Sequence, residues 1–312
     1  MLGTRSASVA TPAPRAATRP ATLRQLWRYR WPYVFVSPFF ILFAVFYVYP
    51  VGFSLWLSLH EWRGLGPLRW VGLDNYATLL KDSLFWNSML NSVVLFFMYV
   101  PLMTFLALVL ASVLNSGFLK LQGLWRLLVF VPNITSMVAV GYTFQLMLSQ
   151  NNGLFNLVLS WFGVPGVPWL GDTWWARISL SLLMIWAWLG YNTVLMLAGL
   201  QTIPRDLVES AKVDGASAAQ AFFRITIPLM RPVILFSVTL SVIGTFSMFV
   251  EPYTLTRGGP ARATETPMMQ IFDTAFSFLK LGYASAMAYV YLAIIATAAI
   301  VQVRVFSRSD TA

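Results

Sequence analysis

No cysteine occurs anywhere in the 312-residue chain, so disulfides, thiolate nucleophiles and cysteine-ligated metals are excluded at the outset. Histidine occurs once, as His60, beside Glu61. A lone imidazole leaves nothing from which to build a zinc cluster or a His-centred triad, and its place at the outer end of the first apolar run reads as an interfacial residue. Lysine occurs four times, at Lys81, Lys120, Lys212 and Lys280, and none follows a glycine. There is accordingly no G-x-x-x-x-G-K-[ST] phosphate loop, and the chain lacks the usual means of binding ATP. Paired catalytic acids are not apparent either. Charge of either sign is scarce, at 10% of residues against 58% hydrophobic. That balance belongs to membrane proteins rather than to soluble domains.

What is present in quantity is long uncharged sequence. Runs at 31–60, 83–119, 127–171, 178–204, 232–250 and 281–303 each meet or nearly meet the length of about 20 apolar residues that a spanning helix needs. The expectation is an all-α integral membrane protein with six transmembrane helices. The first run is too long for the apolar region of a signal peptide and is read as a retained helix. With the N-terminus inside, the inner segments hold 14 of the 21 Lys and Arg but only 4 of the 11 acids, whereas the outer loops hold 7 of each sign. The whole net charge of +10 thus lies inside, which is the positive-inside pattern and orients both termini to the cytoplasm. A nucleic-acid partner is not needed to explain it. Residues 1–32 read as a disordered basic cytoplasmic tail, 33–306 as the membrane domain and 307–312 as a short cytoplasmic tail.

One inner segment, QTIPRDLVESAKVDGASAAQAFFRITIPLMRP over 201–232, carries seven charges between two uncharged spans. Its signals predict helix, turn, helix. Pro204 fits a first helical turn, and Leu207, Val208 and Ala211 recur at helical spacing. Asp214-Gly215 is a break, since glycine accepts the left-handed backbone that ends helices. Ser217 followed by Gln220 fits a capping box, and Pro228 and Pro232 are expected to stop the second helix near Ile225. The product is a compact helical hairpin.

At these residues the chain resembles the permease subunits of ATP-driven (ABC) importers in the branch that takes up sugars and polyols. Those carry a cytoplasmic loop written E-A-A, three residues, G, nine residues, I-x-L-P. Here Glu209, Ser210, Ala211 and Gly215 fill the first part, and Ile225, Ile227 and Pro228 the second; Ser210 and Ile227 depart from the pattern but keep its size classes. A second likeness is T-x-GGP, T-x-T and LGYASAM within 251–287, and a third is GLDNY at 72–76. The resemblance implies a type I ABC importer permease in a bacterial inner membrane, with the hairpin as coupling element. On that likeness Glu209, Ser210, Ala211, Asp214, Gly215, Ile225 and Pro228 form the ATPase-coupling loop. The implied partners are a second homologous permease subunit, two ATPase subunits that hold ATP and Mg, an extracytoplasmic sugar-binding protein, and membrane lipid. No cofactor is expected on this chain itself.

A sugar path wants amides, hydroxyls and aromatic faces. Asn133, Gln145, Tyr191, Asn192, Ser247, Glu251 and Tyr253 are the candidates, because polar groups within spans usually face the protein interior. Bonding between helices fits each of them about as well. Di- or oligosaccharide is the expected cargo, with glycerol phosphate or a polyol as the alternative within the family. A secondary sugar transporter is the alternative outside it, and would be expected to place coupling acids at mid-membrane, where the six runs have essentially none.

Overall fold

In the computed structural model, residues 30–116 and 120–307 are described, so the predicted tails up to residue 29 and beyond Ser307 lie outside the described residues. Among the described residues five helices are long and apolar enough to cross a membrane: α1 (Trp31–Leu57), α3 (Ser83–Asn115), α7 (Thr173–Leu200), α9 (Ala218–Phe246) and α12 (Leu281–Ser307). Two shorter helices, α4 (Gln122–Ile134) and α5 (Met137–Met147), are together long and apolar enough for a sixth span or a re-entrant loop, and are joined at a bend of 91°. The sequence predicts a single span over Leu127–Leu148, and the chain breaks it instead. Pro132 lacks the N–H that would continue the ladder, and Thr135 and Ser136 take ψ of 145° and 117°, outside the helical well. Short helices fill the rest: α2 (Asp74–Leu80), α6 (Leu154–Trp161), α8 (Arg205–Val213), α10 (Val250–Leu255) and α11 (Pro267–Phe272).

The chain divides into two units after Phe53. In the first, Phe39, Phe43 and Tyr47 stack along one helix face with centroids 6.1 and 5.1 Å apart. A wide π turn at Ala44–Val48 lets the N–H of Tyr49 reach back five residues to Ala44, and Pro50 follows at once. The same arrangement recurs in α9, where a π turn at Phe222–Thr226 bonds the Ile227 N–H to Phe222 and Pro228 comes next. A proline ring would clash with the carbonyl four residues earlier; widening the turn moves that carbonyl aside and the helix continues. This overturns the expectation that Pro228 and Pro232 stop a helix near Ile225, because both lie inside α9.

The second unit is built on α3 packed along α7. Leu95, Tyr99, Met103, Leu180, Leu183 and Met184 form its central cluster, and Ala107, Ala111, Met196, Leu200 and Met230 form another toward the hairpin end. Helices in lipid gain closeness from small residues. A Cβ on Gly190 of α7 would lie 1.9 Å from the Val129 carbonyl oxygen of α4, and one on Gly282 of α12 would lie 1.9 Å from that of His60. His60–Glu61 pairs antiparallel with Arg69–Trp70, and α2 follows from Asp74, with Leu79 as its buried residue. His60 is buried between Trp56 and Trp70, with centroids 4.0 and 4.9 Å away. Its Nδ1 is 2.8 Å from the Trp56 carbonyl.

Gly190→Ala is expected to cost about 1–3 kcal/mol through overpacking against backbone that cannot move aside, seen as a lower Tm of the solubilised protein. Gly123→Ala, which meets nothing within 4 Å, is expected to leave Tm unchanged or slightly higher.

Candidate functional site

The hairpin forms as its punctuation requires. Gly215 sits at φ +82°, where a β-carbon would be strained, and the N–H of Ala216 closes the turn onto the Ala211 carbonyl at 2.9 Å. Ser217 Oγ accepts the Gln220 N–H at 3.2 Å while Gln220 Oε1 accepts the Ser217 N–H at 2.8 Å, so both halves of the capping box are made. Glu209, Ser210, Asp214, Gly215 and Pro228 are exposed, and Ala211 and Ile225 are half-buried. Behind them Ile203, Phe222 and Ile227 pack against the cluster of Leu200 and Met230. The second arm is continuous with α9, and three residues, Thr202–Pro204, separate the C-cap Gln201 of α7 from α8. The hairpin is therefore an exposed extension of two long helices, rigidly seated at its base.

Between α3, α7, α9 and α10 lies a cavity of about 460 Å³. Four of the seven predicted path residues line it: Tyr191 and Asn192 on α7, Ser247 just after α9, and Glu251 on α10. Tyr99, Trp188 and Ser241 also line it and were missed by sequence reasoning. Tyrosine and tryptophan in an apolar run carry no signal that separates a cavity from an interfacial belt. Asn133, Gln145 and Tyr253 are not among its lining residues. Asn133 and Gln145 lie half-buried on the two arms of the broken span, and Tyr253 stacks on Phe249 at 5.1 Å under the Arg257 guanidinium, 4.4 Å above its ring.

The cavity walls are tied by polar contacts between helices. Ser237 of α9 donates to Asn192 Oδ1 at 2.5 Å, and Asn192 Nδ2 donates to the Trp188 carbonyl at 3.0 Å. The Tyr99 hydroxyl on α3 meets Thr245 Oγ1 on α9 at 2.5 Å. Asn192 and Tyr99 thus hold helices together as well as facing the cavity. Glu251, beyond the end of α9, is buried, and burial pushes its carboxyl above the usual carboxylate range. Hydrogen bonds from the backbone at Glu251 and Phe249 partly offset that.

The segment after α10 is fastened to the spans. Asn91 on α3 donates to the carbonyls of Arg262 and Glu265 at 2.7 and 3.1 Å. Arg177 on α7 donates to Asn91 Oδ1 and to the Ala263 carbonyl, both at 3.0 Å. The threonines of the T-x-GGP and T-x-T likeness serve the same end: Thr256 and Thr264 hydroxyls lie 2.6 Å apart, and Thr266 donates to the Met248 carbonyl at 2.8 Å. Asn91 and Arg177 were not singled out in the sequence, where an asparagine in a span and an arginine at its mouth have many uses.

Removing either partner of the Ser237–Asn192 bond strands a buried polar group. Ser237→Ala and Asn192→Ala are each expected to cost about 0.6–2 kcal/mol, with a double mutant less destabilised than their sum, as read by thermal unfolding of the solubilised complex.

Comparison with known proteins gives this architecture its place. Residues 77–310 match the family described as binding-protein-dependent transport system inner membrane component. The lactose transport system permease protein of Rhizobium radiobacter is 38% identical over 275 residues, covering 86% of this chain and 92% of the relative. The trehalose/maltose transport system permease protein of Thermococcus litoralis is 37% identical over 251 residues, covering 80% and 83%. Among solved structures, a bacterial ABC transporter involved in import of the acidic polysaccharide alginate aligns with a TM-score of 0.79. It covers 91% of this chain and 98% of that one, at 23% identity, and so speaks to the fold. The chain belongs to the binding-protein-dependent transport system inner membrane component family, whose members are membrane subunits of ABC importers and not enzymes.

Proposed function

We propose that this chain is one of two permease subunits of an ATP-driven importer and forms half of the path for a di- or oligosaccharide. The observation that carries the reading is the exposed hairpin 205–221 set directly on α7 and α9, the two helices that also wall the cavity. A rigid-body movement of an ATPase pair against such a hairpin turns or tilts both walls together, which is what alternating access requires. Glu209 and Asp214 supply exposed carboxylates for charge-assisted hydrogen bonds across that contact. ATP and Mg belong to two partner ATPase subunits. A second, homologous permease closes the cavity, and an extracytoplasmic binding protein delivers the sugar.

The orientation follows from the charge distribution: the hairpin and both termini face the cytoplasm, and α2, α6 and the 256–266 segment face outward. Within the cavity, Tyr191 and Trp188 offer aromatic faces, and Ser247, Asn192 and Glu251 offer hydrogen-bonding groups suited to a hydroxyl-rich molecule. The sugar assignment draws support from relatives named for lactose and for trehalose/maltose transport.

Replacing Glu209 by Ala together with Gly215 by Pro, a residue excluded from φ +82°, is expected to lower ATP-dependent uptake in vesicles at least about tenfold. Membrane insertion of the variant, followed by quantitative blotting, is expected to be unchanged. Normal uptake by the inserted variant would remove the hairpin from the coupling path.

A further inference from the structure

The cavity between α3, α7, α9 and α10 has one acidic or basic residue among its lining, and that residue is Glu251. The other polar groups on its wall are uncharged there: Tyr99, Trp188, Tyr191, Asn192, Ser241 and Ser247. Among the lining residues no lysine, arginine or histidine stands against the carboxyl. Arg257, in the loop after α10, is drawn off over the Tyr253 ring, and Arg177 is committed to Asn91 and the Ala263 carbonyl. The remaining acids and bases of the outer segments are also elsewhere; Arg262, for instance, is engaged with Glu265 at 3.4 Å. Burial favours the protonated carboxyl, and in its ionised form a carboxylate on so apolar a wall imposes a negative potential on whatever enters.

We propose that Glu251 is a specificity-determining residue, which makes this half of the path select neutral polyhydroxy substrates and reject uronates, sulfonated sugars and sugar phosphates. The inference rests on the reading of the cavity as the sugar path. A neutral saccharide finds in Glu251 a hydrogen-bond acceptor for its hydroxyls, at no charge penalty. An anionic one brings like charge into a space where water screens it poorly, and such juxtapositions cost several-fold to many-fold in affinity. The glycerol phosphate alternative raised by the family likeness is disfavoured on the same ground.

The absence of cysteine from the chain makes the potential directly measurable. Ser247, exposed on the cavity wall, is replaced in the Ser247→Cys variant of the assembled complex, and labelling of this subunit is followed at neutral pH with a cationic and an anionic methanethiosulfonate reagent. The ratio of cationic to anionic rates, divided by the same ratio for a free thiol in solution, is expected to exceed about ten. Adding Glu251→Gln is expected to bring that ratio to within about twofold of the free thiol, and Glu251→Asp to keep it high. A normalised ratio near one with Glu251 in place overturns the proposal without recourse to any Glu251 variant, as does a high ratio that survives Glu251→Gln. The reading of the cavity as the path fails separately: uptake of radiolabelled lactose or trehalose by the complex would continue undiminished after Ser247→Cys is capped with a bulky neutral reagent.

Discussion

Hydrocarbon offers no partner to a peptide N–H or C=O, and the departures from regular helix within the long apolar segments are arranged around that demand. The π turns at Ala44–Val48 and Phe222–Thr226 are the clearest cases. Pro50 and Pro228 each remove a donor inside a helix, and in each instance the preceding turn widens so that the next N–H back finds a carbonyl five residues away. The break between α4 and α5 is handled similarly, with Thr135 and its neighbours bonding back to the carbonyls that the bend releases. Irregular backbone elsewhere, in the 256–266 segment and around Asn156, is tied down by side-chain amides, hydroxyls and a guanidinium.

Because the helices cannot gain much by burying apolar surface from lipid, their mutual placement depends on close approach and on a few polar bonds. Gly190 admits the α4 backbone against α7, Gly141 admits Thr254 of α10 against α5, and Gly282 admits the His60 carbonyl against α12. Asn192, Ser237, Tyr99 and Thr245 then link α3, α7 and α9 around the cavity. The same groups that line the space also hold its walls. The hairpin and the cavity lining thus share the same two helices, α7 and α9.

Much of this was legible before the fold was seen, for reasons that differ by element. The hairpin was readable because its signals are local: a glycine at positive φ and a Ser–Gln capping pair act within four residues of themselves. The spans were readable because bilayer thickness sets their length. Pro228 was misread because the rule that proline ends helices omits the wide turn that accommodates it. The 91° break was missed since Pro132 alone permits either a kink or a full turn, and the choice rests on α7 packing against α4. Of the path candidates, Asn133, Gln145 and Tyr253 fell outside the cavity because hydropathy carries no information on which way a polar residue in a span faces. Asn91 and Arg177 act across 86 and more residues of sequence, and no local pattern marks such a pair.

The central claim is that the exposed hairpin between α7 and α9 docks onto a separate ATPase. Since the chain has no native cysteine, a single thiol can be placed at Ser210 on the hairpin or at Asn151 in the exposed turn before α6, and the co-expressed complex treated with a short bifunctional crosslinker. The account predicts a product from Ser210→Cys with the mass of this chain plus one ATPase subunit, and none from Asn151→Cys. An assembled complex that yields no such product from Ser210→Cys, or yields it from Asn151→Cys instead, would contradict it.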